Sequence, residues 1–257
     1  MKMGLFIVEL NLKAKSPVTV ENGDVIVDRG YPTVTVRNVR ADSAEDAENK
    51  AMPKANEFLD ELCRQYEIKL EIGNGCTIMQ QDSPTTRHIK KFDMKVFTTG
   101  GHRKRIPRVL NKVEIRPSDA KTYYRKAALS QDTFDKFRNL YLVIENVASK
   151  IAVAKGEHPP SESELLQFAL KECFSSNRQL LEEHSHVYGF ESTGDIFLDV
   201  ATFLYKRNRV QLSHSKASEK RKIPFNTADE WEVQVSLHLA ELVAKSLLSY
   251  EDAHLFS

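Results

Sequence analysis

Residues 134–151 read FDKFRNLYLVIENVASKI, and this stretch decides the class of the C-terminal half of the chain. Its apolar side chains recur at intervals of three and four residues, which is the spacing of one face of an α-helix. The stripe comprises Phe134, Phe137, Tyr141, Ile144, Ala148 and Ile151. The same period holds almost throughout from about residue 118 onward, so we predict a helical domain over 118–257.

Three further helices are predicted in this domain. After the break at Pro159-Pro160, Ser161-x-x-Glu164 is a capping box that opens the second helix. The third helix is predicted to begin near Thr193 or Gly194 and to run past Leu204. Together with a fourth helix near the C-terminus, these lengths fit a bundle of four to five helices.

The fourth helix is predicted to begin at the capping box Thr227-x-x-Glu230. Its predicted buried stripe contains Trp231, Val235, Leu239, Leu242 and Leu247. His238 falls on the same face and is predicted to be a core histidine.

Residues 1–100 show a different pattern and are predicted to form a β-rich α+β domain. Apolar and polar residues alternate from Val8 to Ala14, as in a half-buried strand. Asn22-Gly23 and Asn74-Gly75 are hairpin signals. Helical spacing appears only once, behind a Ser43 cap, through Ala44, Ala47, Ala51, Ala55, Phe58, Leu59 and Leu62. A last strand is predicted at 92–96, and residues 101–117 are predicted to be a basic linker.

The overall composition says little about function, whereas the distribution of charge along the chain is more informative. The 257 residues include 37 Lys+Arg and 36 Asp+Glu, for a formal net charge of +1. Residues 87–116 nevertheless carry ten basic and two acidic residues, and residues 203–222 carry seven basic residues and one acidic residue. Two basic segments on an acidic remainder predict a localised patch for a polyanion, for which a phosphate backbone is the simplest ligand. Solvated basic loops are the alternative.

Several classes of protein are not indicated by the sequence. Three widely separated cysteines predict neither a disulfide framework nor a zinc site, and we predict no metal and no cofactor. No phosphate-binding glycine loop occurs. No apolar run is long enough for a membrane span and no secretion signal is evident, so we predict a cytoplasmic protein without membrane contact.

The third helix carries the residues best suited to chemistry. Arg207 and His214 are seven residues apart, and on a continuous α-helix they would lie within roughly 20° of each other. Asn208 adds a neutral polar group beside the arginine. Histidine suits proton transfer at neutral pH, and arginine can hold two phosphate oxygens. No carboxylates surround the pair in sequence, which argues against a two-metal nuclease.

This pattern resembles the HEPN superfamily of four-to-five-helix bundles. Its signature is an arginine, usually a polar residue next, and a histidine after four to six intervening residues near the end of a late helix. Arg207-Asn208 followed by His214 fits at the long end of that spacing. Arg209 and His214 are separated by four residues, but Val210 then occupies the polar position. Either arginine is therefore a candidate for the motif.

The first helix adds to the resemblance. Its pattern is similar to that of larger HEPN proteins with an N-terminal β-rich domain, and it reads Phe134-x-x-Phe137-x-x-x-Tyr141-x-x-x-Glu145. The segment from Tyr124 to Glu145 also resembles methylamine-utilisation MauJ-like proteins, more weakly.

The resemblance implies metal-independent RNA cleavage by a homodimer joined through its helical domains, in a setting such as defence or stress response. The 2′-hydroxyl attacks the adjacent phosphate and leaves a 2′,3′-cyclic phosphate. Arg207, Asn208 and His214 would then be the catalytic residues. The alternative is a non-catalytic HEPN module that binds nucleic acid or serves as a scaffold.

Other basic residues are predicted to contact RNA phosphates, and one carboxylate is predicted to orient an arginine. The predicted phosphate contacts are Lys206, Arg209, Arg103, Lys104 and Arg105. Glu145 lies beside the apolar stripe, where a carboxylate needs a partner. It either pairs with Arg207 or another arginine and orients it, or forms a solvated edge of the stripe.

Overall fold

The computed structural model describes residues 3–81, 87–89, 109–110, 113–185, 193–210 and 227–256. The chain divides into two compact units, residues 1–117 and residues 118–257. The first unit is built on a sheet and the second is helical, so the fold is α+β, as predicted. In the described part of the chain, no helix has both the length and the apolar character to cross a membrane.

A mostly antiparallel sheet forms the first unit. Its strands in the described residues follow the order β6-β5-β1-β4-β3-β2-β7. All neighbours pair antiparallel except β2 and the two-residue β7, which are parallel. The strands are β1 (Gly4–Leu12), β2 (Thr19–Asn22), β3 (Val25–Val27), β4 (Thr33–Ala41), β5 (Ile72–Gln80), β6 (Arg87–Ile89) and β7 (Val109–Leu110).

One helix, α1 (Ala44–Tyr66), packs on the sheet. The Ser43 side chain accepts a hydrogen bond from the Asp46 backbone N–H, which confirms the predicted cap. The predicted stripe is also confirmed as the buried face, because it enters the same core as the inward side chains of β1 and β4. Three of its members, Ala47, Ala51 and Ala55, are small enough for the helix to lie close to the strands.

The two Asn-Gly signals have different outcomes. Asn22 pairs with Val25 across the β2–β3 turn, where Gly23 has a φ of +59°, so the first signal is confirmed. The second prediction is wrong, because Asn74-Gly75 lies inside β5. Leu10 pairs with Cys76 and Leu12 pairs with Ile72, so three residues of β5 stand opposite one residue of β1. This irregularity is a bulge, and Gly75 supplies its positive φ of +97°.

The predicted linker also requires correction. Leu110 and Val113 are buried in the core of the first unit. The Arg116 backbone N–H donates to the buried Glu61 carboxylate at 3.0 Å, and Gln65 donates to the Glu114 carbonyl. Residues 113–117 are therefore part of the sheet unit. The strand predicted at 92–96 lies outside the described residues.

The second unit is helical, as predicted, and its described part includes short helices in addition to those located in the sequence. The short helices α2 and α5 were not anticipated, whereas the Ser161 cap is confirmed by its acceptance of the Glu164 backbone N–H. The helices are α2 (Asp119–Leu129), α3 (Thr133–Lys155), α4 (Glu162–Phe174), α5 (Arg178–Ser185), α6 (Ile196–Thr202) and α7 (Thr227–His254). A π-helix over Phe203–Val210 continues directly from α6.

Helix α3 is the centre of this unit, and it packs against α2, α4, α7 and the π-helix. Its contacts with α7 run in the same order along both helices: Thr133 with Gln234, Lys136 with Glu241 and Lys150 with Glu251. The two helices are therefore parallel.

The exposed face of α7 differs from the prediction. Trp231 is 67 % exposed and His238 is also exposed, so neither is a core residue. Leu239 and Leu247 are buried, as predicted, whereas the predicted Val235 and Leu242 are only half-buried. The other residues of the buried face are Val233, Leu237, Ala240, Val243, Ala244 and Leu248. The predicted stripe is therefore centred too far around the helix.

A buried polar network joins α2, α3 and α7. The Glu251 carboxylate accepts hydrogen bonds from the Lys150 ammonium at 2.6 Å and from the Ser118 hydroxyl at 2.9 Å. Nearby, Lys121 is 1 % exposed and forms an ion pair with Asp252 at 2.8 Å. These contacts fasten the beginning of α2 to the end of α7.

Candidate functional site

Four polar side chains lie together where α3, the start of α4 and the π-helix meet. They are Tyr141 and Glu145 of α3, Glu162 of α4 and Arg209 of the π-helix. Two of them, Glu145 and Arg209, were singled out from the sequence. Hereafter the four residues are called the Arg209 cluster.

The position of Glu162 follows from the connection between α3 and α4. Gly156 ends α3 with a φ of +71°, and residues 157–161 include Pro159 and Pro160, which cannot continue a helix. Tyr141 contacts Glu162 and Lys155 contacts Glu172, so α4 runs in the same direction as α3. The connection thus returns along α3 and delivers the first residue of α4 to the middle of that helix.

The Tyr141 hydroxyl donates a hydrogen bond to Glu162 Oε1 at 2.7 Å. Burial, followed by this hydrogen bond and the negative charge of Glu162, raises the pKa of the Tyr141 phenol. The phenol therefore stays protonated and acts as a fixed donor. It holds the Glu162 carboxylate in place at the N-terminus of α4, where the helix dipole also favours a negative charge.

Arg209 is held on two sides. Its Nε lies 3.4 Å from Glu162 Oε1, and its guanidinium carbon lies 5.9 Å from the centre of the Tyr141 ring. The side chain is one-third exposed, at 33 %. Within the described part of the chain, no acceptor bonds the two terminal nitrogens of this guanidinium. The arginine is thus oriented by its inner edge and its face, while its outer edge can bind a ligand.

Glu145 contributes a second carboxylate to the cluster. Burial raises the pKa of the Glu145 carboxyl, the nearby Glu162 charge raises it further, and Arg209 opposes both effects. Glu145 therefore lies within the electrostatic influence of an arginine, and that arginine is Arg209. Whether Glu145 orients it stays a prediction.

The segment that contains Arg207 is a π-helix and not the predicted α-helix. A π-helix forms i→i+5 hydrogen bonds, so each residue turns the helix by less than the α-helical angle. Residues 203–210 have this geometry, so the α-helical angle does not apply to the segment that contains Arg207. His214 lies outside the described residues, and its position on the same face stays a prediction. π-Helices are rare, and the single-turn π-bulges that make up most of them occur frequently at functional sites.

Some predicted site residues are only partly described. Lys206 is exposed on the π-helix. The backbones of Arg207 and Asn208 lie in the same π-helix, but their side chains are outside the description. His214 and the three basic residues Arg103, Lys104 and Arg105 lie outside the described residues.

Sequence reasoning missed Glu162, although a signal was present. The capping box fixes Ser161 as the N-cap, so it places residue 162 at the first position of α4. The sequence could not show that this position lies beside α3. Tyr141 belongs to the predicted apolar stripe and to the first-helix pattern, but neither predicts a partner for its hydroxyl.

The chemistry available to the cluster is that of oxyanion recognition. Arginine can present two parallel N–H groups to a phosphate, and a carboxylate behind it fixes the orientation. The sequence around the basic helix contains no carboxylate cluster, but in the structure Glu162 lies 3.4 Å from Arg209, and Glu145 is close enough for the arginine to affect its pKa. Among the residues that the structure describes, however, no group of three or more His, Cys, Asp or Glu side chains could hold a metal ion.

Comparison with known proteins assigns neither a family nor a function to this chain. No family model, no curated protein and no solved structure matches this chain. The HEPN resemblance therefore stays a prediction, and the function is argued from the Arg209 cluster.

Proposed function

We propose that the protein is a metal-independent endoribonuclease of the HEPN type, acting as a homodimer in the cytoplasm, in defence or stress response. The observation that carries this proposal is the state of Arg209. This arginine belongs to a strongly basic segment, yet it is oriented by Glu162 and Tyr141, and no acceptor among the described residues bonds its terminal nitrogens. A solvated basic helix would not need such support.

The proposal assigns the motif arginine to Arg209 and the proton-transfer residue to His214. Four residues separate them, within the range of the HEPN signature. The 2′-hydroxyl of RNA would lose its proton and attack the adjacent phosphorus, and the 5′-oxygen would leave with a proton. His214 would transfer a proton in this exchange, while Arg209 would stabilise the additional negative charge on the phosphate.

The other basic residues take supporting roles in this proposal. Lys206, Arg207 and the cluster Arg103, Lys104 and Arg105 would contact the RNA backbone, and Asn208 would assist at the reacting hydroxyl. Two motif helices from two protomers would build the composite site.

Cleavage of a mixture of tRNA and mRNA in the presence of EDTA tests the proposal. We expect the wild type to produce 2′,3′-cyclic phosphate ends. We expect His214→Ala and Arg209→Ala each to lower the cleavage rate by about 100-fold or more. Arg207→Ala is the matched control, because it removes the same charge two residues away, and we expect less than a tenfold loss.

A second reading is favoured by the π-helix. The segment that carries Arg207 and Arg209 is a π-helix and not the α-helix on which the predicted alignment of Arg207 with His214 depends, which suits a module that binds nucleic acid without cutting it. Such a protein would show RNA affinity that falls steeply with salt and no cleavage in any variant. A folded wild type that neither cuts nor binds RNA would contradict both readings.

A further inference from the structure

The Arg209 cluster contains more negative than positive charge. The cluster contains one guanidinium and two carboxylates: Glu162 forms an ion pair with Arg209 at 3.4 Å, and Glu145 lies one helical turn after Tyr141 on α3. Glu145 adds a second negative group whose field reaches both Glu162 and Arg209. An anion that binds the outer edge of Arg209 therefore meets an arginine whose charge is largely balanced.

This balance affects phosphate ligands according to their charge. An internal phosphodiester carries one negative charge. A terminal phosphate carries close to two above its second pKa of about 6. Because electrostatic energy is proportional to the charge of the ligand, the second charge gains little from the neutralised Arg209 and is repelled by Glu145.

We infer that Glu145 and Glu162 are specificity-determining residues that make the Arg209 site favour an internal phosphodiester over a terminal phosphate. The inference rests on the proposed function, since it assigns the ligand class of the same site. It explains why a phosphate-binding arginine would be surrounded by carboxylates. The protein would accept the interior of an RNA strand and would be little inhibited by the phosphorylated ends of RNA or by mononucleotides.

Two probes that differ by one methyl group test this. They are 2′-O-methyladenosine 3′-phosphate and its methyl phosphodiester, and neither has a free 2′-hydroxyl that could react. Their affinities for the full chain are measured by NMR titration at about pH 8, where the monoester is a dianion. We expect the wild type to bind the methyl diester about fivefold more tightly than the monoester.

Glu145→Gln is the principal variant, because it removes the charge while preserving the shape of the side chain. We expect it to strengthen binding of the dianionic monoester by about fivefold and binding of the diester by about twofold, so that the preference for the diester falls from about fivefold to about twofold. Glu162→Gln should shift the ratio in the same direction, and it provides a second test should the first variant not fold. Glu164→Gln is the control, because this exposed carboxylate belongs to the same turn of α4 and bonds Ser161 instead.

The outcomes separate the inference from the proposed function. Equal affinity of the wild type for both probes, an unchanged ratio in both Gln variants, or an intact preference in Arg209→Ala would overturn the inference. RNA cleavage in EDTA without a preference between the probes would overturn the inference alone. A preference that depends on Glu145 in a protein that cuts no RNA would instead overturn the proposed function.

Discussion

Glu251 is a buried carboxylate whose contacts all serve to stabilise the helical unit. Its side chain is 1 % exposed, and its oxygens accept hydrogen bonds from Lys150 and Ser118. Desolvation of a charge is costly unless the charge is paired and hydrogen-bonded, and both conditions are met here. The residue therefore stabilises the fold and takes no part in the proposed chemistry.

We expect Glu251→Gln to lower the free energy of unfolding of the helical unit by about 1–3 kcal/mol, because it leaves the Lys150 ammonium without its counter-charge. Urea denaturation followed by circular dichroism measures the change. Arg138→Gln is the control, since Arg138 and Asp135 form an ion pair on the same helix with side chains 62 % and 57 % exposed. That variant should change stability by less than about 0.5 kcal/mol. Equal effects from the two variants would contradict this account of Glu251.

For single residues, the sequence showed that a side chain was unusual for its position but not which side chain it contacts. Glu145 was recognised because a carboxylate beside an apolar stripe is unusual. Glu162 escaped notice because an acidic residue in the first turn of a helix is ordinary. Its significance comes from Tyr141 and Arg209, which are distant from it in sequence.

In strand β5, a dipeptide typical of a turn forms part of a strand because of pairing with a strand that is distant in sequence. Asn74-Gly75 has the composition of a two-residue hairpin turn. Here the strand continues through it, because Cys76 and Ile78 pair with β1 on one side of the bulge and Ile72 pairs on the other. Pairing with β1 thus determines what the dipeptide does.

We expect Gly75→Ala to destabilise the sheet unit by about 1–2 kcal/mol, because Gly75 has a φ of +97° that disfavours a side chain. Gly73→Ala is a close control in the same strand. Its φ lies outside the left-handed region, and its added Cβ would meet the flexible Lys13 side chain at 3.4 Å. Thermal unfolding of the two variants measures the difference, and a Gly73 variant as destabilised as the Gly75 variant would refute the role of φ.

Some helices could be predicted from residues close in sequence, and others could not. Caps and apolar stripes predicted α1, α3 and α4 because both depend on residues close in sequence. The π-helix after α6 could not be predicted, since the sequence of Phe203–Val210 carries no local signal for i→i+5 hydrogen bonding. The stripe of α7 was misplaced because Trp231 is apolar yet 67 % exposed.

For the whole molecule, the largest difference between prediction and structure is the position of the boundary between the two units. Composition placed the end of the first domain near residue 100, because the following segment is rich in glycine, proline and charge. The structure places it after Pro117. The difference arises because Leu110 and Val113 fill the core of the sheet unit, which a count of basic residues cannot reveal.

We expect a fragment of residues 1–117 to unfold cooperatively in urea and a fragment of residues 1–100 to lack a cooperative transition. The shorter fragment loses two buried apolar side chains, each worth about 1.5–3 kcal/mol. That loss is comparable with the whole stability of a domain of this size. Matching transitions in the two fragments would show that β7 and the segment after it are dispensable.

Because α3 packs against α7 near the C-terminus, the helical unit can fold completely only after the sheet unit has been synthesised. The sheet unit has all its residues once position 117 has left the ribosome. The helical unit must wait for Glu251, because this residue closes the network that holds the beginning of α2. At typical elongation rates the delay is on the order of ten seconds. During that interval the apolar face of α3 that packs against α7 lacks this partner helix, so a nascent-chain chaperone would find its binding site there.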